Sequence, residues 1–550
     1  MKSQTRQTIK RYEIFCTARI GCTNGVKACH GACLIESLSY KKTKTCTEQN
    51  LFNQSSKLNT PIAQDAENSS RPNLGQTCCC LKFVYGVFAT VATSHNILQR
   101  QTALRMKTTR QIIFFSACLL ITACAPSKTS QVATPVGKET SSLDTKRYNI
   151  AERGAVGDGK TLNTRAIQAI IDDCSQRGGG TILVPKGVFV TGSLFLKPGV
   201  NLELQEGAVL KGSTNIEDYP KQNTRIEGHF EPWRAALINA DGVDHLRITG
   251  SGTLDGSGEP FWKAFYNRRS ANNKTTNLDV ERPRLALIQR SKDVQISGIT
   301  FLNSGFWNLH LYRCQQVTVD NCRFQAPSAS KPDNHAPSSD GIDVDSSQDV
   351  AISHCFFSVG DDCIALKGSK GPFALQDKDS PPVERIKISD CIFEAGGGIV
   401  TFGSEATIVR DVNVERCISR GPTVLRLKLR PDTPQLYENV SMSDITLEDG
   451  GAIFKVSPWT QYFDLKGQEP PKSVVRNIVI EKVRGAGASL GEITGHPNAT
   501  ISGIVLKNVD VQLKSNDMKI GQVTNLRFQN VKVNGQEMTA PMPSISGVTN

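Results

Sequence analysis

From Arg147 onward, apolar and polar residues alternate in short runs separated by glycine and asparagine, and one phrase keeps returning. It reads DVQISGITF, QVTVDNCRF, DVAISHCFF, RIKISDCIF, DVNVERCIS, NVSMSDITL, NIVIEKVRG, GIVLKNVDV and NLRFQNVKV. Its second residue falls at Val294, Val317, Val350, Ile386, Val412, Val440, Ile478, Ile504 and Leu526, with gaps of 22 to 38 residues. A period of two puts the apolar side chains on one face of a strand. A minimum spacing near 22, with longer outliers, describes one coil per repeat and insertions that loop out from one side. Helical repeats need a 3.6-residue period, and propeller blades need about 40–50 residues. What remains is an all-β fold, a single-stranded right-handed parallel β-helix whose stacked strands bury a continuous interior. Only Thr164–Gln176, TRAIQAIIDDCSQ, has the spacing of an amphipathic helix. It is expected to cap the open end of the first coil and to block edge-to-edge pairing.

Composition changes this picture mainly at the N-terminal end. The chain has 550 residues and a net charge of +12, but residues 1–105 hold 14 Lys+Arg against 5 Asp+Glu. The basic balance thus belongs mostly to that segment and does not mark the main body as a nucleic-acid binder. Eight of the 17 cysteines also precede residue 106. Met106 opens MKTTRQIIFFSACLLITAC, a basic start followed by an apolar run too short to span a bilayer. Its ending resembles a bacterial lipobox, with Cys124 as the lipidated residue. The expected organisation is an upstream extension over 1–105, mis-called as coding and disordered, and a lipoprotein signal peptide over 106–124. A polar linker over 125–146 and the β-helix domain over 147–550 follow. The expected location is the bacterial cell envelope, periplasmic or on the outer membrane. The seven later cysteines show no metal-ligand spacing and read as buried thiols, with one or two disulfides as the alternative.

Candidate chemistry begins at FFSVGDDCIALKG, where Asp361 and Asp362 are adjacent in a strand-like stretch. Neighbours on a strand point to opposite faces, so the pair makes sense if a turn aims both into one cleft. Asp340, in SSDGIDVD, lies 21 residues earlier, about one coil, which would stack it beside the pair. Gly341 and Gly360 are expected to let the backbone bend there. Three packed carboxylates repel, so at least one should keep its proton near neutral pH, as general acid–base hydrolysis requires. A calcium site or a solvated acidic rim is the competing reading. Asp343 and Asp345 alternate with Ile342 and Val344 and should face outward, Asp343 in a supporting, substrate-binding role. Arg426, Lys428 and Arg430 alternate with leucines in LRLKLRP and form a cationic row suited to a carboxylate-bearing substrate.

These residues resemble the glycoside hydrolase family that contains polygalacturonases and related pectin hydrolases, family 28. The resemblance runs from about Tyr148 to beyond Tyr462 and includes GTLDGSG before Trp262 and LNSGFWNLH around Trp307. The family's Asn-x-Asp, Gly-Asp-Asp and Arg-x-Lys motifs match Ser338–Asp340, Gly360–Asp362 and Arg426–Lys428. By that resemblance Asp361 is the general acid, and Asp340 and Asp362 activate a water on the opposite face, giving inversion. An inverting pair of this kind is expected to stand about 6.5–9.5 Å apart. Arg426 and Lys428 would hold a galacturonate carboxylate, and no cofactor or metal is implied. The partner would be an acidic plant cell-wall polysaccharide or oligosaccharide, acted on by a monomer. Two positions depart from the pattern: Ser338 replaces an asparagine, and Gly397, within Gly396-Gly397-Gly398, replaces the histidine of a Gly-His-Gly motif. Trp307, Trp459 and Tyr462 are candidates to stack on sugar rings, whereas His310 and His354 read as packed or turn residues. A calcium-dependent pectate lyase and a catalytically impaired glycan-binding solenoid are the alternatives.

Overall fold

The computed structural model describes residues 146–327 and 335–541. Cys124 and the segments 1–105, 106–124 and 125–145 lie outside the described residues. Two long sheets wind through the described chain, one of 23 strands and one of eleven. All pairings in the eleven-stranded sheet are parallel.

The recurring phrase is the unit of this winding. Val294 pairs with Val317, and the register continues through Val350, Ile386, Val412, Val440 and Ile478 to Ile504. The ninth position, Leu526, lies just before the strand Arg527–Val533 and packs, partly buried, against the core. Stacking like on like places equivalent side chains one strand spacing apart, about 4.8 Å. Phe301, Phe324, Phe357 and Phe393 follow this rule as a ladder of nearly parallel rings, with centroids 4.7–5.0 Å apart. The first residue of the phrase explains its composition. Asp293, Gln316, Asp349, Arg385, Asp411, Asn439 and Asn477 all adopt φ near +57°, a left-handed corner that asparagine and aspartate tolerate best. The seven described cysteines are buried free thiols, so no disulfide joins them.

The helix Thr164–Gln176 buries Ile167, Ile170, Ile171 and Cys174 against the first coils, as its spacing requires. A second helix, Glu259–Ala271, was not expected. Its buried residues Phe261, Trp262 and Phe265 cover little more than one turn, with charged residues around them, so no amphipathic stripe marks it. The antiparallel hairpin Lys221–Ile226/His229–Arg234 is also an addition to the solenoid. Arg225 pins it to the coils: its Nε lies 3.2 Å from Asp345 and Nη1 lies 3.0 Å from Asp377. The insertion that contains Asn267–Arg282 packs by the acid cluster, since Arg282 Nη1 donates to the Pro337 carbonyl at 2.7 Å.

Candidate active site

The strands Ile342–Asp345, Ile364–Lys367, Gly398–Phe402 and Thr423–Leu429 are consecutive in the eleven-stranded sheet. Ile342 pairs with Ile364, a coil offset of 22 residues, so Asp340 lines up with Asp362 rather than Asp361. The Gly341 N–H donates to the Asp362 carbonyl at 3.0 Å. Oxygens of Asp340, Asp361 and Asp362 all lie within 4.8 Å of one another. The chain bends at both Gly341 and Gly360, as expected, but neither takes a left-handed angle. They permit close approach instead: a Cβ would lie 2.7 Å from Phe357 Cδ1 at Gly341, and 2.7 Å from Ser339 Oγ at Gly360.

The two adjacent aspartates meet different surroundings. Asp362 is fully buried, and its Oδ1 accepts from Thr401 Oγ1 and Arg426 Nη1, both at 2.8 Å. Its Oδ2 accepts from Lys428 Nζ at 2.7 Å. Asp361 is half-buried, and its Oδ1 accepts the Asp362 N–H at 3.0 Å. Burial alone would raise Asp362, but Lys428 and Arg426 outweigh it and hold the carboxyl well below the usual range. Asp340 goes the other way. Burial pushes it up to about 7; Lys367 opposes the rise, and the charges of Asp361 and Asp362 add to it. The cluster therefore contains one firmly ionised acid and one that titrates near neutrality.

Lys367, unremarked in the sequence, stands at the centre of the buried charges. Its Nζ lies 3.4 Å from Asp340 Oδ2, 3.4 Å from Asp343 Oδ1 and 3.8 Å from Glu405, above the Trp307 ring at 4.6 Å. Burial would lower this lysine, but the three carboxylates raise it well above the ordinary value. Asp343 must be corrected. It does point away from the solenoid interior, yet it is 0% exposed, so it offers no surface to a substrate. Burial and the neighbouring Asp340 push its carboxyl well above the ordinary value. Asp345 is equally covered, locked to Arg225 and His310. Trp307 is buried at 3% exposure and cannot serve as a sugar platform.

The cationic row divides. Arg426 and Lys428 face Asp362, whereas Arg430 turns to Asp432 at 2.8 Å. Trp459 is half-buried beside the first two, its ring 4.6 Å from Lys428 Nζ and 5.8 Å from the Arg426 guanidinium carbon. Tyr462 is 51% exposed nearby, and its carbonyl accepts from Arg430 Nη2 at 3.0 Å. His310 is packed and His354 sits in an exposed turn paired with Asp320 at 2.8 Å. A histidine does reach the acid pair from elsewhere: His335 Nε2 lies 2.7 Å from the Gly360 carbonyl, and its Nδ1 lies 2.6 Å from Tyr266 Oη. Ser338, in the asparagine position, is buried with its hydroxyl 3.3 Å from Arg282 Nη2.

Asp340, Asp361 and Asp362 are, among the described residues, the group whose geometry suits a metal ion. Both oxygens of Asp362 are already engaged by fixed cations, and Asp340 faces Lys367. The protein's own ammonium and guanidinium groups occupy the role an ion would play, so the donor set does not fit a calcium site.

A family model described as "Glycosyl hydrolases family 28" matches residues 174–526, well over half of the chain. A probable polygalacturonase of Vitis vinifera is 26% identical over 393 residues, covering 68% of this chain and 75% of the relative. An exo-poly-alpha-D-galacturonosidase of Dickeya chrysanthemi is 26% identical over 471 residues, covering 75% of each. Among solved structures, a hyperthermoactive exopolygalacturonase from Thermotoga maritima superposes with a TM-score of 0.59 at 23% identity. It covers 71% of this chain and 92% of that one. The polygalacturonase of Erwinia carotovora gives 0.53 at 21% identity, covering 74% and 100%. At such identities the structural likeness speaks for the fold, the right-handed parallel β-helix.

Proposed function

The chain belongs to glycosyl hydrolase family 28, and from that premise we propose that it hydrolyses galacturonate linkages of pectic chains with inversion. The observation that carries this reading is the convergence of three carboxylates with two cations that hold one of them ionised. Asp361, half-buried, is the acid that protonates the glycosidic oxygen as the bond to the anomeric carbon breaks. Asp340 and Asp362 orient the attacking water, and one of them takes its proton. The nearest oxygens are closer than the separation usual for inverting pairs, about 6.5–9.5 Å. One water bonded to two oxygens at about 2.7 Å each still fits between them. Arg426, with Trp459 beside it, offers the remaining positive and aromatic surface to an acidic sugar, and the exposed Tyr462 is a further stacking candidate.

Incubation with polygalacturonate, followed by mass and NMR analysis of products, tests the reading. Saturated products with inverted anomeric configuration are expected, unaffected by chelator. A retained anomer or an unsaturated product overturns it. Asp361→Asn should still bind oligogalacturonate while turnover falls by about 10²–10⁴-fold; unchanged turnover would remove Asp361 as the acid.

We also propose that Cys124 carries lipid and tethers a monomeric enzyme to a bacterial envelope. The support is the basic start and short apolar run before Cys124. Incorporation of labelled fatty acid that persists in Cys124→Ala would refute this.

A further inference from the structure

The triple glycine at 396–398 sits directly behind the acid cluster. A Cβ on Gly397 would overlap Nη1 of Arg426 and lie 2.6 Å from Oδ1 of Asp362. Those are the two atoms joined at 2.8 Å in the ion pair. Gly397 does not have a left-handed φ, so alanine there meets no backbone strain of that kind. The backbone has little freedom to retreat. The Gly397 N–H donates to the Asp361 carbonyl at 2.9 Å, and a Cβ on Gly396 would lie 2.5 Å from Cys363 Sγ. A Cβ on Gly398 would lie 2.7 Å from Thr401 Oγ1, the hydroxyl that also donates to Asp362. Any side chain at 397 must therefore displace the guanidinium or the carboxylate.

We infer that Gly397 is a positioning residue: its missing side chain leaves the space in which Arg426 closes on Asp362, so arginine fills the place behind the acids. This rests on the hydrolytic reading above and adds a residue-specific cause to it. The departure from the family's histidine is then matched to the seating of Arg426, and restoring histidine at 397 breaks the ion pair. Asp362 faces Arg426 and Lys428 from one strand and Lys367 from another. Asp340 lies on the preceding coil and Asp361 adjoins it. Losing one cation from this set makes Asp362 easier to protonate. Arg426 also faces Asp340, so displacing it raises that carboxyl too, and the acidic limb of kcat/KM, which Asp340 sets, should move to higher pH.

Gly397→Ala and Gly397→His are the test variants, with Arg426→Met as a second route to the same state. The expected results for Gly397→Ala are a crystal structure with the Arg426–Asp362 contact broken and kcat/KM reduced by roughly 10²-fold. The acidic limb should shift upward in both Gly397→Ala and Arg426→Met. Wild-type-like activity with the contact intact overturns the inference, and so does activity lost with the limb unmoved. If Gly397→Ala does not fold, Arg426→Met decides, and an unmoved limb there is equally fatal. A wild-type enzyme inert on polygalacturonate would instead sink the hydrolytic reading, while the crystallographic arm still tests the role of Gly397.

Discussion

Lys428 Nζ stands 2.7 Å from Oδ2 of Asp362, a carboxylate with no exposed surface. That contact, with Arg426 on the other oxygen, decides which member of the cluster stays ionised. Lys428→Met should leave Asp362 with Arg426 as its one directly bonded cation and destabilise the fold by up to about 3–5 kcal/mol. The folded-state pKa of Asp362 is depressed, so its contribution is complete above the ordinary 3.8 and fades as pH falls through the lower folded value. Urea unfolding should show a wide gap between wild type and variant at neutral pH, closing only in strong acid. A gap independent of pH would exclude this account.

Lys367 restrains the rise of Asp340, whose carboxyl burial has pushed up to about 7. Lys367→Met should raise Asp340 further and move the acidic limb of kcat/KM upward by about a pH unit or more. The sign for stability is opposite to that of Asp362. A raised carboxyl binds its proton more tightly in the folded state, so its contribution declines as pH rises from 3.8 to about 7. A pH–rate profile superimposable on wild type would exclude the coupling.

Asp343 is predicted to be nearly replaceable despite its place beside the cluster. Its carboxyl is buried and pushed well above the ordinary value, with Lys367 Nζ no nearer than 3.4 Å. Asparagine reproduces a neutral carboxyl, so Asp343→Asn should keep kcat/KM within about threefold, while Asp340→Asn loses about 10²-fold or more. Equal losses in the two variants would return Asp343 to the substrate or the proton path.

Arg225 and Asp345 are both essentially buried, with 1% side-chain exposure each, and are joined at 3.2 Å. Removing one partner strands the other charge, so Arg225→Met should cost about 3–5 kcal/mol. Limited proteolysis should then cut near the Glu227–Gly228 tip of the hairpin. Unchanged melting and an uncut hairpin would show that other contacts hold this hairpin.

The solenoid could be read from the chain because each strand repeats the requirement of the one before it. The phrase positions Val294 to Ile504 stack in register, and the left-handed corner explains the recurring aspartate and asparagine ahead of them. Asp340, Asp361, Asp362, Arg426 and Lys428 come together for the same reason. Groups carried in by the insertions were hidden. Arg225 reaches Asp345 across 120 residues, and His335 reaches Gly360 from a separate loop. No local period encodes either contact. Lys367 carries no sequence signal because it ends an ordinary strand, and its role depends on three acids drawn from two other coils. Asp343 misled because a strand's outward face equals its solvent face only where nothing covers the sheet.

The tie between Arg225 and Asp345 also carries a history of assembly. A chain synthesised from its N-terminus makes the hairpin well before the ribosome has delivered its anchor. The early windings can form on their own templates, but this flap must wait for more than a hundred further residues. The hairpin is therefore seated late, and a nascent or truncated chain that ends before Asp345 leaves it unanchored on an otherwise well-wound stem.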